Sequence, residues 1–410
     1  MTRTRRMRIV YVNHTANVSG AERVLLDMLK GLDRNRYEPV LICPSEGRLW
    51  NEVRPLDVQC KPLSSVSARF SLRPDRLLGA IGSMGKAILA LRRQVNDLRP
   101  DLVHANTIRS GIMATVATAG TTLPVVWHVH DILPKHLISG VIRVFARLSG
   151  RTHIVAVSHA TARAFCGVMD FKGRLRTIHN GVDLGNFPLK VAGASVFREQ
   201  LGISRSDFLV CAVGQICERK GIIELVDAFQ RICKSAPKMH LAIVGAVVFK
   251  HEEPYFQKLR EMVAASRCSD RIHFTGELTN VSEVLQGSDL LVLNSRQEPF
   301  GLVLVEAMSS GTPVLATQVG GIPEIITDQV NGWLVKKGDS IGLASKLLSL
   351  SLDTNALAGA AQVAHEVTCP QFSLSRFHEN LGRLYSEFDS RQVISYDSPA
   401  KLAFSEQGRP

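Results

Sequence analysis

Two carboxylates, Glu298 and Glu306, stand eight positions apart in the run SRQEPFGLVLVEAMSSGTPVLAT, Ser295–Thr317. The run is largely apolar, so solvent exposure alone does not explain either acid. The preceding DLLVLNS reads as a buried strand, EPFG as a turn, and LVLVEAMSS as a helix capped by Gly311. The N-terminus of such a helix offers free N–H groups and a positive dipole end, both suited to a phosphate. At 1.5 Å rise per residue, Glu306 lies about 7–8 Å along the axis from Gly301, while Glu298 stays in the turn. Carboxylates accept hydrogen bonds from sugar and ribose hydroxyls. The pair can therefore bracket a ligand with hydroxyls at both ends and phosphates between. The competing reading pairs Glu306 with a buried arginine and leaves Glu298 in water.

Four further stretches carry groups of this kind. VGQICERKG (Val213–Gly221) follows a strand and opens a helix. Arg219 and Lys220 oppose the dipole there, which implies an anion nearby. In HTANVSGAERVLL (His14–Leu26), Ser19, Gly20 and Ala21 allow backbone to approach a diphosphate closely. The full GxGxxG of a dinucleotide fold is missing. VVWHVHDI (Val125–Ile132) puts His128 and His130 on one side of a strand end. With no HExxH and no Asp-x-Asp, one histidine facing substrate is preferred to a metal site; His128 also suits a core position. HNGVDLGNFP (His179–Pro188) carries the Asn180-Gly181 turn signal. Each stretch has a plain structural alternative: an exposed turn, an ordinary strand–helix turn or an interdomain turn.

These groups need strand ends to hold them. In the first half, strands are predicted at Met7–Val12, Glu38–Cys43, Asp101–His104, Val125–His128, His153–Val157 and Leu175–Ile178, with helical patterns between them. The second half repeats the grammar with DFLVCAVGQ, MHLAIVG, RIHFTG, DLLVLNS and TPVLAT. Alternating strands and helices imply parallel sheets covered on both faces. The expected fold is α/β, with two doubly wound Rossmann-like domains facing across a cleft. Its parts are residues 1–185, residues 186–371 and a tail, 372–410, whose helix returns toward the first domain. Asn186–Ser206 reads as a linker, and the last twenty or so residues read as disordered. Ligands of such sheets bind beyond the carboxyl ends of the strands.

The chain has 410 residues, 45% hydrophobic and 21% charged, which suits a soluble globular protein of two or three domains. Its net charge of +12 is unevenly placed. Residues 1–180 carry 27 Lys+Arg against 12 Asp+Glu, and the remainder carry 22 against 25. A basic first half favours an anionic partner. Eight scattered cysteines with no CxxC pair read as reduced thiols in a cytosolic protein. No stretch reads as a signal peptide or a membrane span.

In order along the chain, SGAERVLL, VWHVHD, VSHAT, HNGVDLGNF, VGQICERKG, FTGEL, EPFGLVLVEAMSSGTPVLAT and VGGIPEII resemble a known family signature. The chain resembles the retaining glycosyltransferases of family 4, which have the GT-B fold, from about Arg8 to Tyr385. The resemblance implies a nucleotide-diphosphate sugar as co-substrate and no metal or other cofactor. It implies Glu298 at the transferred sugar, Glu306 at the ribose and Lys220 at the diphosphate. N–H groups near Phe300, Gly301 and Leu302 would meet sugar and phosphate, and Gly276–Leu278 would lie near the base. From the first domain, Gly20 would approach the diphosphate and His130 the reacting sugar. His130, Glu298 and Lys220 are thus the implied catalytic residues. Two departures stand out. Gln215 replaces the usual arginine, with Arg219 as a substitute cation, and Ser19 replaces a glycine.

The acceptor is expected on the basic first domain. Two stretches there are basic and amphipathic. RPDRLLGAIGSMGKAILALRRQ has Leu77, Leu78, Ile81, Met84, Ile88 and Leu91 beside Arg73, Arg76, Lys86, Arg92 and Arg93. PKHLISGVIRVFARLSGR has Leu137, Val141, Phe145 and Leu148 beside Lys135, Arg143, Arg147 and Arg151. Either can lie on an anionic leaflet or pack on the sheet. A lipid-linked or saccharide acceptor, met at the inner face of the cytoplasmic membrane, leads the expectations. A nucleotide-sugar epimerase of related fold and a non-catalytic nucleotide-sugar-binding subunit remain open. Nucleic acid is not expected as a partner, because no aromatic platform or basic reading helix is present.

Overall fold

The computed structural model describes residues 5–64, 74–134, 136–190 and 195–389. Among these residues, thirteen strands form two all-parallel sheets. The first sheet has β1 (Met7–Val12), β2 (Tyr37–Cys43), β3 (Gln59–Pro62), β4 (Leu102–Ala105), β5 (Val125–Val129), β6 (Thr152–Ala156) and β7 (Leu175–Thr177). Its spatial order is β3-β2-β1-β4-β5-β6-β7. The second has β8 (Phe208–Val213), β9 (Met239–Val244), β10 (Ile272–Gly276), β11 (Leu290–Leu293), β12 (Val314–Thr317) and β13 (Trp333–Val335), in the order β10-β9-β8-β11-β12-β13. Strand order reverses between β1 and β4 and again between β8 and β11. Crevices for ligands open at such reversals.

Burial on both faces explains the unbroken apolar runs in these strands. In β1, Val10 and Val12 enter one core layer, while Met7, Ile9 and Tyr11 enter the other. The second sheet divides in the same way, with Val210 and Ala212 opposite Leu209 and Cys211. All eight cysteines are free thiols. The predicted strands are present with ends moved by one or two residues. Two short strands, β3 (QCKP) and β13 (WLV), were not predicted, because three or four residues show no period.

The stretch read as a linker, Asn186–Ser206, is partly helical. A short helix, Val196–Gln200, lies inside it. Buried Arg198 anchors that helix by donating to Gly287 O at 2.7 Å and to Ser204 O and Asp207 O at 3.0 Å, and by pairing with Asp289. The closing helix, Leu374–Ser386, returns to the first sheet. Phe377, Leu381, Leu384 and Tyr385 join the layer under β1, and His378 Nε2 meets Asp27 O at 2.8 Å.

The two basic stretches differ in outcome. In the first, Arg73 lies outside the described residues, as do the side chains of Arg76, Leu77, Leu78 and Ile81. Met84, Ile88 and Leu91 pack into the core, so that stripe faces the sheet. In the helix Leu137–Leu148, Phe145 packs on Trp127, but Leu137, Val141 and Leu148 are 87%, 69% and 75% exposed. Arg143 and Arg151 are committed to backbone carbonyls, and Lys135 lies outside the described residues. The tail beyond Asp389 is also outside them. Among the described residues, no helix is long and apolar enough to cross a membrane.

Candidate active site

The chemistry-bearing residues collect at the two reversals of strand order. Beyond β8, Gly214 (φ 141°) turns the chain into a 3₁₀ turn, Glu218–Lys220. Gly221 (φ 61°) then starts the helix Ile222–Ile232. A side chain at Gly221 would meet Asn294 O at 2.2 Å, so only glycine fits. Arg219 and Lys220 therefore precede the helix and are not its first residues, as the sequence suggested. Beyond the adjacent β11, Asn294 Nδ2 donates to Gly221 O at 2.8 Å and ties the two loops together.

Glu298 sits in the second loop, 7% exposed. Its Oε2 accepts from Lys220 Nζ at 2.7 Å and from Ser295 Oγ at 2.9 Å, and Arg219 lies 3.9 Å away. Burial alone would raise the pKa of this carboxyl. Lys220 and Arg219 outweigh that and hold it below the ordinary value. The alternative of a solvated Glu298 is thereby excluded. Phe300 is buried against His179 and Phe372, so its ring faces the core and only its backbone is available. Gly301 (φ 108°) caps the helix Leu302–Ser309, and Leu302 packs between the cores of both halves.

One turn along, Glu306 has the opposite surroundings. Its carboxyl has no hydrogen bond or ion pair among the described residues. Burial pushes its pKa up to about 7, offset in part by Arg23. Arg23 belongs to the helix Gly20–Lys30 of the first half, as does Asp27, which raises the value further. The competing reading, a buried arginine paired with Glu306, thus fails in its strict form, because the cation acts only at a distance.

Gly20 opens that helix and faces open space, with nothing within 4 Å of where a Cβ would lie. Ser19 has φ −126°, which any residue adopts, so replacing a glycine there brings no strain. His130, partly buried beyond β5, has Nε2 at 3.2 Å from Asn106 Oδ1. Burial lowers its pKa to about 3. His128 is fully buried, its ring 4.3 Å from that of His130 and its Nδ1 3.3 Å from His104 Nε2. It is a core histidine. Gly276 (φ 73°) ends β10 with its carbonyl accepting from Gly245 N, and Leu278 packs on the second core. Gln215 donates to Glu252 at 2.5 Å, which ties down the side chain that replaces an arginine.

The sequence reading did not single out Ser295, Asn294, Asn13, Asn106 or Glu324 as site residues. The first four directly follow β11, β1 or β4, so knowing the strand order would have found them. Glu324 takes the N–H groups of His159 and Ala160, both at 2.8 Å, and His179 Nε2 at 2.9 Å. Ser158 Oγ donates to Pro299 O at 2.6 Å beside it. These bonds clamp the helix His159–Cys166 of the first half onto the Glu298 loop. His159, His179 and Glu324 lie close enough to share a cation, but both Glu324 oxygens are already engaged by those donors.

Two family profiles match the chain. The one described as "Glycosyltransferase Family 4" covers residues 18–186, and "Glycosyl transferases group 1" covers residues 195–365. The chain is similar to N-acetyl-alpha-D-glucosaminyl L-malate synthase of Bacillus anthracis, 29% identical over 57% of this chain. That match spans only 58% of the relative's own length, so it carries family and not substrate. It is also similar to UDP-Gal:alpha-D-GlcNAc-diphosphoundecaprenol alpha-1,3-galactosyltransferase of Escherichia coli, 23% identical over 85% of this chain and 89% of the relative. Among solved structures, Anabaena Alr3699/HepE in complex with UDP-glucose superposes with a TM-score of 0.80 at 25% identity. It covers 93% of this chain and 100% of that one. With two parallel sheets and both halves matched in order, the chain belongs to the group 1 glycosyltransferases and has the GT-B fold.

Proposed function

We propose that the protein transfers a sugar from a nucleotide-diphosphate sugar to an acceptor hydroxyl, with retention of configuration and no metal. The observation that carries this reading is the Lys220–Glu298 pair beside the helix N-terminus at Gly301. A buried carboxylate held ionised suits developing positive charge on a sugar ring. An ammonium and free N–H groups suit a diphosphate leaving group. In the step, the C1–O bond to phosphate breaks and a C1–O bond to the acceptor forms on the same face. The acceptor proton passes to the departing phosphate oxygen. Lys220, Arg219 and the helix N-terminus stabilise the charge that grows there, in the role a metal fills elsewhere. Glu306 takes the ribose hydroxyls and Gly276–Leu278 line the base. The relative solved with UDP-glucose makes UDP-sugars the first donors to try.

The acceptor proposed is a lipid-linked or saccharide hydroxyl presented at the cytoplasmic membrane. Support comes from the exposed ridge Leu137, Val141 and Leu148. It lies within residues 132–169, a stretch with no Asp or Glu. An apolar ridge in a segment free of acids suits a bilayer rich in anionic lipid. The test is a panel of UDP-, GDP- and ADP-sugars, read by thermal shift and hydrolysis, with and without a chelator. The anomeric configuration of the product is then read by NMR. Stabilisation by no donor, loss of turnover with the chelator, or inversion would each defeat the part it addresses. Flotation with acidic vesicles, reversed by salt and lost in Leu137→Ser/Val141→Ser, tests the membrane part.

A further inference from the structure

A buried chain of hydrogen bonds links the Gly20 loop to the His130 ring, and its direction is fixed at every link. Ser19 donates its N–H at 3.1 Å and its hydroxyl at 2.5 Å to Glu22 Oε2. Glu22 Oε1 accepts from Asn13 Nδ2 at 3.1 Å, and the same nitrogen donates to Thr15 O at 2.8 Å. A backbone carbonyl only accepts, so this second bond fixes the Asn13 amide. Asn13 Oδ1 is therefore the acceptor for Asn106 Nδ2 at 3.2 Å. Asn106 Nδ2 is itself pinned by Ala21 O at 3.1 Å. Only Asn106 Oδ1 then remains for His130 Nε2 at 3.2 Å, and that nitrogen must carry the proton. Asn13, Glu22 and Asn106 are almost fully buried, so water does not compete for these bonds. His130 Nδ1 has no hydrogen-bond partner among the described residues, and the ring is partly exposed.

We propose that Asn106 is a positioning residue that holds His130 as its Nε2–H tautomer. Nδ1 is then an acceptor that takes a hydrogen bond from a substrate hydroxyl and repels an unprotonated phosphate oxygen. The role in turnover rests on the reading of His130 as a substrate-facing residue; the tautomer does not. Asn13 and Asn106 follow β1 and β4, so the first sheet's reversal point sets the chemistry of a ring that follows β5. It also couples the diphosphate loop to the sugar site through one rigid network.

The full-length protein labelled with 15N-histidine decides this by long-range 1H–15N spectra, with His130 assigned from its absence in His130→Ala. The expected result is a protonated Nε2 and an unprotonated Nδ1 throughout pH 5.5–8.5. The Nδ1–H form in the wild type would overturn the proposal, and this readout needs no other variant. In Asn106→Leu the expected result is a mixture of tautomers. With it kcat falls about tenfold to a hundredfold while donor KM is unchanged. A folded Asn106→Leu protein with wild-type kcat and tautomer would equally overturn it. Full turnover by His130→Ala would remove the catalytic reading and Asn106's part in it, yet leave the tautomer assignment standing.

Discussion

The turn around Glu298 and the helix turn around Glu306 are eight residues apart and shift their carboxyl pKa values in opposite directions. Glu298 is desolvated but answered by Lys220 at 2.7 Å and by Ser295, and it stays ionised. Glu306 is desolvated with only the remote Arg23 and Lys220 to answer it, and its pKa rises to about 7. Burial is common to both, so a contacting cation decides the charge. The difference matches two tasks. An ionised carboxylate suits developing cationic character at a sugar carbon, whereas a carboxyl near neutrality can both donate to and accept from neutral hydroxyls.

Removing the contacting cation should break the contrast most strongly. Lys220→Met leaves a buried carboxylate short of its partner, which costs about 3–5 kcal/mol. It should lower the thermal midpoint, raise the Glu298 pKa and abolish transfer. Calorimetry and a turnover assay check this, and the double variant with Glu298→Gln should recover stability but not activity. Glu298→Gln alone keeps the shape and removes the charge. Transfer should fall about a hundredfold or more, with nucleotide affinity little changed by isothermal titration. Equal loss of nucleotide binding would place Glu298 in the wrong task.

Glu306→Gln sharpens the other half of the contrast. A carboxyl whose folded pKa is raised binds extra protons in the folded state between about pH 4.5 and 7, so stability falls as pH rises through that window. Glutamine removes the loss. The variant should gain up to about 3 kcal/mol over wild type at pH 8 and nothing at pH 4. Chemical denaturation at the two pH values measures this, and a gain independent of pH would contradict it. The smallest effect concerns the clamp. Burial would raise the Glu324 pKa, but His179 and two backbone N–H groups hold it low. Its contribution is present above the ordinary carboxylate pKa and disappears as pH falls through the depressed value. Glu324→Gln should cost about 1 kcal/mol at pH 7 and nothing near pH 2, by the same denaturation series.

Much of this was legible in the sequence, for reasons that differ between residues. The apolar runs of β1 and β8 and the EPFG turn carry their structure locally, so the strands and the Glu298 loop were read nearly as found. The Gly20 helix start was read for the same reason. Lys220 was identified, but its bond to Glu298 was not. The two are 78 residues apart and meet only because β8 and β11 are neighbours. Asn13 and Asn106 were missed because single asparagines after strands are ordinary turn residues until the order β1–β4 makes them adjacent. The exposure of the ridge at Leu137 was not legible for another reason. Periodicity finds an apolar stripe but does not say whether protein covers it.

The helix Leu374–Ser386 has a consequence for anyone wishing to recombine this protein with its relatives. It comes from the end of the chain but is part of the first half's core, with Tyr385 Oη 2.8 Å from His104 Nδ1 and 3.2 Å from Tyr11 Oη. The second half is therefore an insertion between two pieces of the first, entered near Asn186 and left near Phe372. A chimaera joined at a single crossover would place one parent's closing helix on another parent's sheet. Grafting only the inserted segment, with both flanking pieces from one parent, keeps that interface native and lets the second half be exchanged as a cassette.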